Sequence, residues 1–198
     1  MAISIEDIKR LKELTGVGMT DAKQALVEVD GDFDKALEAM RKKGLTKAEK
    51  KGEREARQGI VDAYLHSGRI GVLVEVNCET DFVARTDDFK NFVHDVAMHI
   101  AAAAPEYISL EDISDAEKET KVAEFTEKVK NEGKPENMVA QIVEGMIKKH
   151  FAEKCLLDQP FIKNPDQTVG DLLKEHIAKL GENMVIRQMS RIELGALS

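Results

Sequence analysis

The chain has 198 residues and a net charge of −8, with 42% hydrophobic, 33% charged and 5% aromatic residues. This acidic balance argues against general affinity for nucleic acid, which requires a basic face, and the composition is typical of a helical, very soluble protein. No apolar run approaches the about 20 residues of a membrane span. Cys78 and Cys155 make no disulfide framework, so we expect a reduced, intracellular protein of one large domain or of a small and a larger one.

Three short helices are predicted at the N-terminus. Ser4–Asp7 reads as a capping box for the first helix, and its acidic residues argue against an export signal. The second helix covers about residues 20–29, and the third follows the cap Asp32 and ends at Gly44. Glycines separate the helices: Gly16, Gly18 and Gly31. Such a compact bundle over residues 1–44 is similar to a ubiquitin-associated (UBA) domain.

The segment 45–58 has a different character. Basic residues between Lys47 and Arg57 alternate with glutamates, and few apolar residues recur. The segment could contact RNA, but the acids interrupt the run of positive charge, which favours a solvated, helix-prone linker.

A β-unit begins at Gly59, where apolar and polar residues start to alternate. Ser67–Gly68 predicts a two-residue hairpin turn into a second, half-buried strand over Arg69–Asn77. A hairpin alone is marginally stable, so a third strand is required. Met184–Leu194 is the one later stretch with strand character, and we expect it to complete a three-stranded antiparallel sheet.

Helices are predicted between these strands. One runs from Asp88 to Ala104 before Pro105. Two amphipathic segments at about 115–131 and 135–153 are joined by Gly133-Lys134-Pro135 with the proline at the first helical position, which predicts an antiparallel helical hairpin. Their narrow apolar stripes indicate that this hairpin projects from the domain.

Two further segments precede the last strand. Leu156–Ile162 is an irregular apolar stretch expected to pack over the core, and Thr168–Asp171 caps a final helix that Gly181 ends. The elements together predict an α+β fold with a UBA-like three-helix domain at 1–44, a charged linker at 45–58 and a core domain at 59–198.

The turn between the second strand and the following helix holds Asp81 and Phe82. An aromatic residue beside a carboxylate at such a tip can act as a wedge on a partner protein. The alternative is that Phe82 folds into the core and Asp81 caps the helix, and the local pattern alone favours this alternative.

Known sequence signatures change that balance. Glu75–Arg85, E-V-N-C-E-T-D-F-V-A-R, resembles the signature of elongation factor Ts, the nucleotide-exchange partner of elongation factor Tu. Leu14–Leu26, L-T-G-V-G-M-T-D-A-K-Q-A-L, resembles the same family's T-G-A-G-M-M-D-C-K-K-A-L, and Thr20 departs from the family's usual second methionine. Leu156–Phe161 is similar to the family's L-L-x-Q-P-F. The resemblance covers essentially the whole chain and matches the short, single-core, bacterial form.

The resemblance implies a guanine-nucleotide exchange factor that binds elongation factor Tu with GDP, disturbs its magnesium and phosphate site, and stays bound until GTP enters. It assigns this work to Thr80, Asp81, Phe82 and Val83, with Phe82 inserted near the magnesium site. It also places Val17, Gly18 and Met19 of the bundle on the partner's nucleotide-binding domain, so the expected partner is elongation factor Tu.

Other chemistry finds no support in the sequence. The glycines at 16 and 18 follow a helix rather than a strand and lack the third glycine of a dinucleotide fingerprint. No phosphate-binding G-x-x-x-x-G-K-[ST] loop exists, no histidine lies at zinc-ligand spacing, and Cys78 has no identifiable base. We therefore expect no enzyme activity, no cofactor, no metal and no direct nucleotide binding.

Two other functions stay open on residues alone. One is an adaptor whose bundle binds a helical peptide, and the other is an RNA-associated protein that uses Lys47–Arg57. Pairing of two chains into a homodimer through the strand at Met184–Leu194 is also open. The absence of an export signal predicts a cytoplasmic location, and we expect no association with a membrane.

Overall fold

The computed structural model describes residues 3–15, 17–49 and 51–196, with the backbone alone for residues 41 and 44–49. It confirms the predicted α+β class. The helices are α1 (Ile5–Thr15), α2 (Met19–Glu28), α3 (Phe33–Glu49), α4 (Asp81–Ala84), α5 (Asp87–Ala103), α6 (Asp115–Asn131), α7 (Glu136–Ala152) and α8 (Val169–Leu180). The strands are β1 (Gln58–His66), β2 (Ile70–Cys78), β3 (Pro160–Phe161), β4 (Asn164–Thr168) and β5 (Met184–Glu193). None of the helices within the described ranges is long and apolar enough to cross a membrane.

The N-terminal helices form the predicted bundle. The hydroxyl of Ser4 accepts hydrogen bonds from the backbone N–H groups of Glu6 and Asp7, and Asp32 accepts one from Lys35 N at the start of α3, as expected of N-caps. One apolar cluster joins the three helices: Ile8, Leu11, Ala22, Ala25, Leu26, Ala36 and Met40.

The end of α3 differs from the prediction. The helix does not stop at Gly44 but continues to Glu49, into the segment assigned to the linker. A single interior glycine costs a helix only about 1 kcal/mol, and the lysines, alanine and glutamate around it favour the helix. The predicted break at Gly16, and Lys50 of the charged segment, lie outside the described residues.

By internal contacts the chain divides into two compact units, one of residues up to Met98 together with those from Asp171 onwards, the other of residues 99–170. The first contains the predicted three-stranded sheet in the order β1-β2-β5 with both pairings antiparallel. Ser67 and Gly68 form the predicted turn with φ of 52° and 66°. The β2–β5 register shifts between Glu75 and Val76, where Arg187 is the extra residue of a β-bulge.

The two faces of this sheet differ. Alternate residues of β2 are buried on the inner face: Val72, Val74, Val76 and Cys78. Within the first unit, α5 and α8 contact each other. The Phe92 ring of α5 lies 4.6 Å from the His176 ring of α8, and Asp88 of α5 forms an ion pair with Lys179 of α8 at 2.9 Å. The outer face of the sheet carries exposed apolar side chains instead: Val61, Ala63, Leu65, Leu73 and Ile192.

The second unit contains the predicted helical hairpin. Val129 near the end of α6 packs with Val139 and Val143 near the beginning of α7, which is the contact pattern of antiparallel helices. Gly133 in the connection has φ of 70°, and Pro135 lies at the N-cap of α7, one position before the predicted one.

A second, two-stranded sheet of β3 and β4 lies in this unit and was not predicted. The pair Phe161 and Asn164 closes a two-residue loop. The segment has no apolar alternation, because β4 is almost entirely polar and contains Pro165, so the period that marks a strand is missing.

Candidate functional site

The turn after β2 is a single helical turn held between two longer elements. Thr80 has extended backbone angles and is the N-cap of α4, with its hydroxyl 3.5 Å from the N–H of Val83. At the other end, the Thr86 hydroxyl donates to Val83 O at 2.8 Å and accepts from Phe89 N at 3.3 Å in the first turn of α5. The turn is therefore anchored both at its start and at its junction with α5.

Phe82 points away from the protein core. Its side chain is 79% exposed, whereas Ala84, two residues further along α4, is buried. Residues two apart on a helix lie on different faces, so burying Ala84 turns Phe82 outwards. The alternative in which Phe82 folds into the core and Asp81 caps the following helix is wrong. Phe82 is exposed, and the capping oxygens belong to Thr80 at α4 and to Thr86 at α5.

Asp81 lies beside Phe82 and forms an ion pair with Arg85 at 2.7 Å. Both side chains are solvent-accessible, and an ion pair this exposed contributes no more than about 1 kcal/mol. The carboxylate of Asp81 can therefore exchange Arg85 for another donor at little cost.

The other predicted site residues lie in the bundle. Gly18 is the N-cap of α2, where its carbonyl accepts from Ala22 N at 2.9 Å. Val17 packs partly against the bundle core, and the neighbouring Met19 is 42% exposed. The two predicted groups thus occupy two local structures, the α1–α2 connection and the turn after β2.

Comparisons with known proteins decide the family. A family model described as "Elongation factor TS" matches residues 5–196. The chain is 57% identical over 194 residues to elongation factor Ts of Thermoanaerobacter sp. (strain X514), an alignment that covers 98% of the chain and 95% of that protein. It is 56% identical over 196 residues to elongation factor Ts of Carboxydothermus hydrogenoformans, with 98% and 89% covered. The chain belongs to the elongation factor Ts family. A role in translation elongation follows from this membership.

Glu182 and Asn183, which sequence reasoning missed, hold the exposed turn of this family member in place. The carboxylate of Glu182 accepts two hydrogen bonds from Thr80, at 3.0 Å from the backbone N–H and at 2.6 Å from the hydroxyl. In return, the carboxylate of Glu79 accepts the N–H of Asn183 at 2.6 Å. We call these four residues the carboxylate clasp. No local sequence signal marks it, since its two halves are more than a hundred positions apart.

The side chain of Asn183 fixes the clasp to a third segment. It is 2% exposed and donates to the carbonyl oxygens of Gly52 and Arg54, at 3.3 Å and 2.6 Å. Arg54 also lies 3.6 Å from Glu79. The start of the turn is therefore tied to residues before β1 and before β5.

Cys78 lies next to the clasp and behaves as a small apolar residue. Its thiol is buried and lies 3.1 Å from Thr80 O, to which it donates. Burial, followed by the charge of Glu182, raises the pKa of Cys78 to about 11. The thiol is thus protonated near neutral pH and has little thiolate to act as a nucleophile.

The buried His99 of the second unit has a structural role. Its Nε2 lies 2.9 Å from Gln159 Oε1, and its Nδ1 accepts from Ile162 N at 3.3 Å. One donor and one acceptor nitrogen are what a neutral imidazole offers, and burial lowers the pKa of His99. Within the described ranges, no group of three or more His, Cys, Asp or Glu residues could hold a metal ion.

Proposed function

We propose that this elongation factor Ts family member is a guanine-nucleotide exchange factor for elongation factor Tu. The observation that carries the proposal is Phe82, a large apolar side chain that is 79% exposed on a turn anchored at both ends. A single exposed apolar side chain is ordinary on a protein surface, but aromatic side chains are enriched at the cores of protein interfaces, and this one is carried by an anchored turn. The family membership supports elongation factor Tu as the partner.

Exchange requires differential binding rather than bond-making. The chain binds the nucleotide-free form of elongation factor Tu more tightly than the GDP-bound form, and by reciprocity it weakens GDP binding by the same factor. GDP affinity in a GTPase depends on phosphate contacts and magnesium. Phe82 therefore inserts beside the magnesium site, and the chain stays bound until GTP enters. No catalytic residue, cofactor or metal of its own is needed, so the chain is not an enzyme.

Asp81 and Thr80 assist Phe82. Asp81 leaves its exposed ion pair with Arg85 and accepts a hydrogen bond from the partner beside the inserted ring. Thr80 and Val83 form the capping contact of α4 and keep the ring's direction constant. This work takes place in the cytoplasm, where translation elongation occurs.

Release of a fluorescent GDP analogue from elongation factor Tu tests the function. At fixed magnesium concentration, the chain is expected to accelerate release relative to a sample without it, with a rate that saturates as its concentration rises. A folded chain that binds elongation factor Tu without accelerating release would contradict the proposal and favour an adaptor.

The α1–α2 connection supplies a second contact with the nucleotide-binding domain of elongation factor Tu through Val17, Gly18 and Met19. Met19→Ala is expected to raise the half-saturating concentration of the chain roughly five-fold, as for a partly covered interface side chain worth about 1 kcal/mol, with little change in the maximal release rate. The comparable control is Val27→Ala, which truncates a side chain of similar exposure, 48%, in the same bundle. Equal titration curves for Met19→Ala and the unmodified chain would contradict the proposal that Met19 contacts elongation factor Tu.

The outer face of the sheet is proposed to pair with a second copy of the chain. It presents Leu65 and Ile192 on either side of Gly71 in register, 76% and 72% exposed, and Leu73 two positions further along β2. A sheet face with an apolar centre can pack against an identical face about 10 Å away, which gives a closed dimer.

Light scattering at increasing protein concentration tests this pairing. The unmodified chain is expected to be a dimer, and Leu65→Glu a folded monomer, because a charge at the centre of an apolar interface cannot be solvated. Val27→Glu, which changes an exposed bundle residue, is expected to leave the dimer intact. A monomeric unmodified chain would overturn the pairing, and slower exchange by Leu65→Glu would then assign the face to elongation factor Tu.

A further inference from the structure

The carboxylate clasp controls the hydrogen-bonding state of Thr80. A threonine hydroxyl has one hydrogen, and here it points to Glu182 Oε1 at 2.6 Å. The oxygen lone pairs are then directed elsewhere, and Val83 N lies within 3.5 Å of that oxygen. Glu182 therefore turns the Thr80 hydroxyl into the acceptor that α4 needs at its first turn.

The same carboxylate fixes the backbone at the base of the turn. Its second oxygen accepts the N–H of Thr80 at 3.0 Å, directly before α4 begins. Thr80 thus gives both of its donors to one side chain, which restricts both its backbone and its χ1 angle. A helix of four residues has too few internal hydrogen bonds to persist alone, so α4 depends on external anchors, and Glu182 supplies the one at its start.

Exposure of the ring makes the anchor important. At 79% exposure, Phe82 has few contacts of its own to hold it, and its direction follows from the backbone of α4. Charge-assisted hydrogen bonds to a carboxylate are short and directional, which suits a support that must hold a side chain in water.

From these contacts we infer that Glu182 is a positioning residue for nucleotide exchange, which acts through Thr80 to hold Phe82 in its binding-competent direction. The inference rests on the proposed function. It adds a residue from the segment before β5, more than a hundred positions from the T-D-F-V motif, to the machinery of exchange. Glu182 is part of the support and does not itself contact the nucleotide.

Kinetics of GDP release from elongation factor Tu test the inference with the full chain. Glu182→Ala is expected to lower the maximal release rate about ten-fold, since the partner must then order at least one residue of the turn. Glu182→Gln retains one of the two acceptor oxygens and is expected to fall between Ala and the unmodified chain. Asp88→Asn removes an acidic charge from a surface ion pair with Lys179 and is expected to leave the rate unchanged.

A double-mutant cycle separates positioning from general destabilisation. If Glu182 acts through Phe82, then Glu182→Ala slows release by less than about two-fold in a Phe82→Ala background. A full ten-fold loss in that background, or an unchanged rate for Glu182→Ala in the otherwise unmodified chain, would overturn the inference.

Amide hydrogen exchange gives a readout that does not depend on elongation factor Tu. Glu182→Gln is expected to accelerate exchange of the Thr80 and Val83 amides, while the amides of β2 remain protected. Unchanged protection of both amides would contradict the inference that Glu182 orders the turn through Thr80. Should the unmodified chain fail to accelerate GDP release, the proposed function fails by that result alone, and the amide measurement still decides whether Glu182 orders the turn.

Discussion

Phe82→Ala is expected to lower the maximal rate of GDP release from elongation factor Tu by about 30-fold or more. Truncating an aromatic anchor at the centre of an interface costs about 2 kcal/mol or more, and each 1.4 kcal/mol is a factor of about ten. The ring exists in the free chain at 79% exposure, so its contribution is made almost entirely in the complex. Stopped-flow measurement of fluorescent GDP release at saturating chain concentration gives this rate directly.

The same substitution is expected to leave the fold unchanged. Removing an exposed side chain that packs on little else alters the free energy of unfolding by no more than about 0.5 kcal/mol. Ile5→Ala is the matched control, because Ile5 is 68% exposed and lies outside both proposed contacts; its release rate should equal that of the unmodified chain. A folded Phe82→Ala variant with full exchange activity would end the wedge mechanism.

Gly59→Ala is expected to have the largest effect on stability, about 4 kcal/mol of unfolding free energy or more. Gly59 is paired with Asn77 across β1 and β2 and has φ of 148°. A Cβ at this position would lie 2.1 Å from Val76 O and 2.8 Å from Asn77 Cα. Both atoms belong to the backbone of the central strand, so the clash can be relieved only by separating the two strands.

Gly68→Ala is the comparison that isolates this contact. Gly68 also has positive φ, 66°, but nothing lies within 4 Å of its added Cβ, so the cost is the left-handed backbone alone, about 1 kcal/mol. Urea unfolding followed by circular dichroism measures both variants. Equal losses of unfolding free energy for the two variants would mean that the clash of the added Cβ with β2 does not destabilise the protein.

Much of this fold could be predicted from local sequence. The alternation along β2 has the period of a half-buried strand, and Val72, Val74 and Val76 are indeed buried. Ser67–Gly68 has the turn residues of a two-residue hairpin, and the short connection before Pro135 required antiparallel helices. Each of these signals depends on residues a few positions apart, so the sequence contains it directly.

The candidate site was predicted by resemblance and only partly by pattern. The motif around Thr80–Val83 identified the turn, but the local pattern favoured a buried Phe82. A turn can direct a side chain towards the core or towards solvent. The hydrophobic period of β2 does not predict the direction of Phe82, because that period ends where the strand ends. The predicted division into a domain at 1–44, a linker at 45–58 and a core domain at 59–198 stays a prediction, although α3 extends past residue 44.

What the sequence by itself determined was the three N-terminal helices, the three strands of the larger sheet, the longer helices between them, and the family to which the chain belongs. The tertiary structure alone decided that Phe82 faces solvent and that Glu182 holds Thr80 from 102 positions away. It also decided that β3 and β4 pair without apolar alternation. The reason is physical: hydrophobic period and turn chemistry act between near neighbours along the chain. The direction of an exposed ring and the partner of a carboxylate depend on groups that meet only after the sheet has formed.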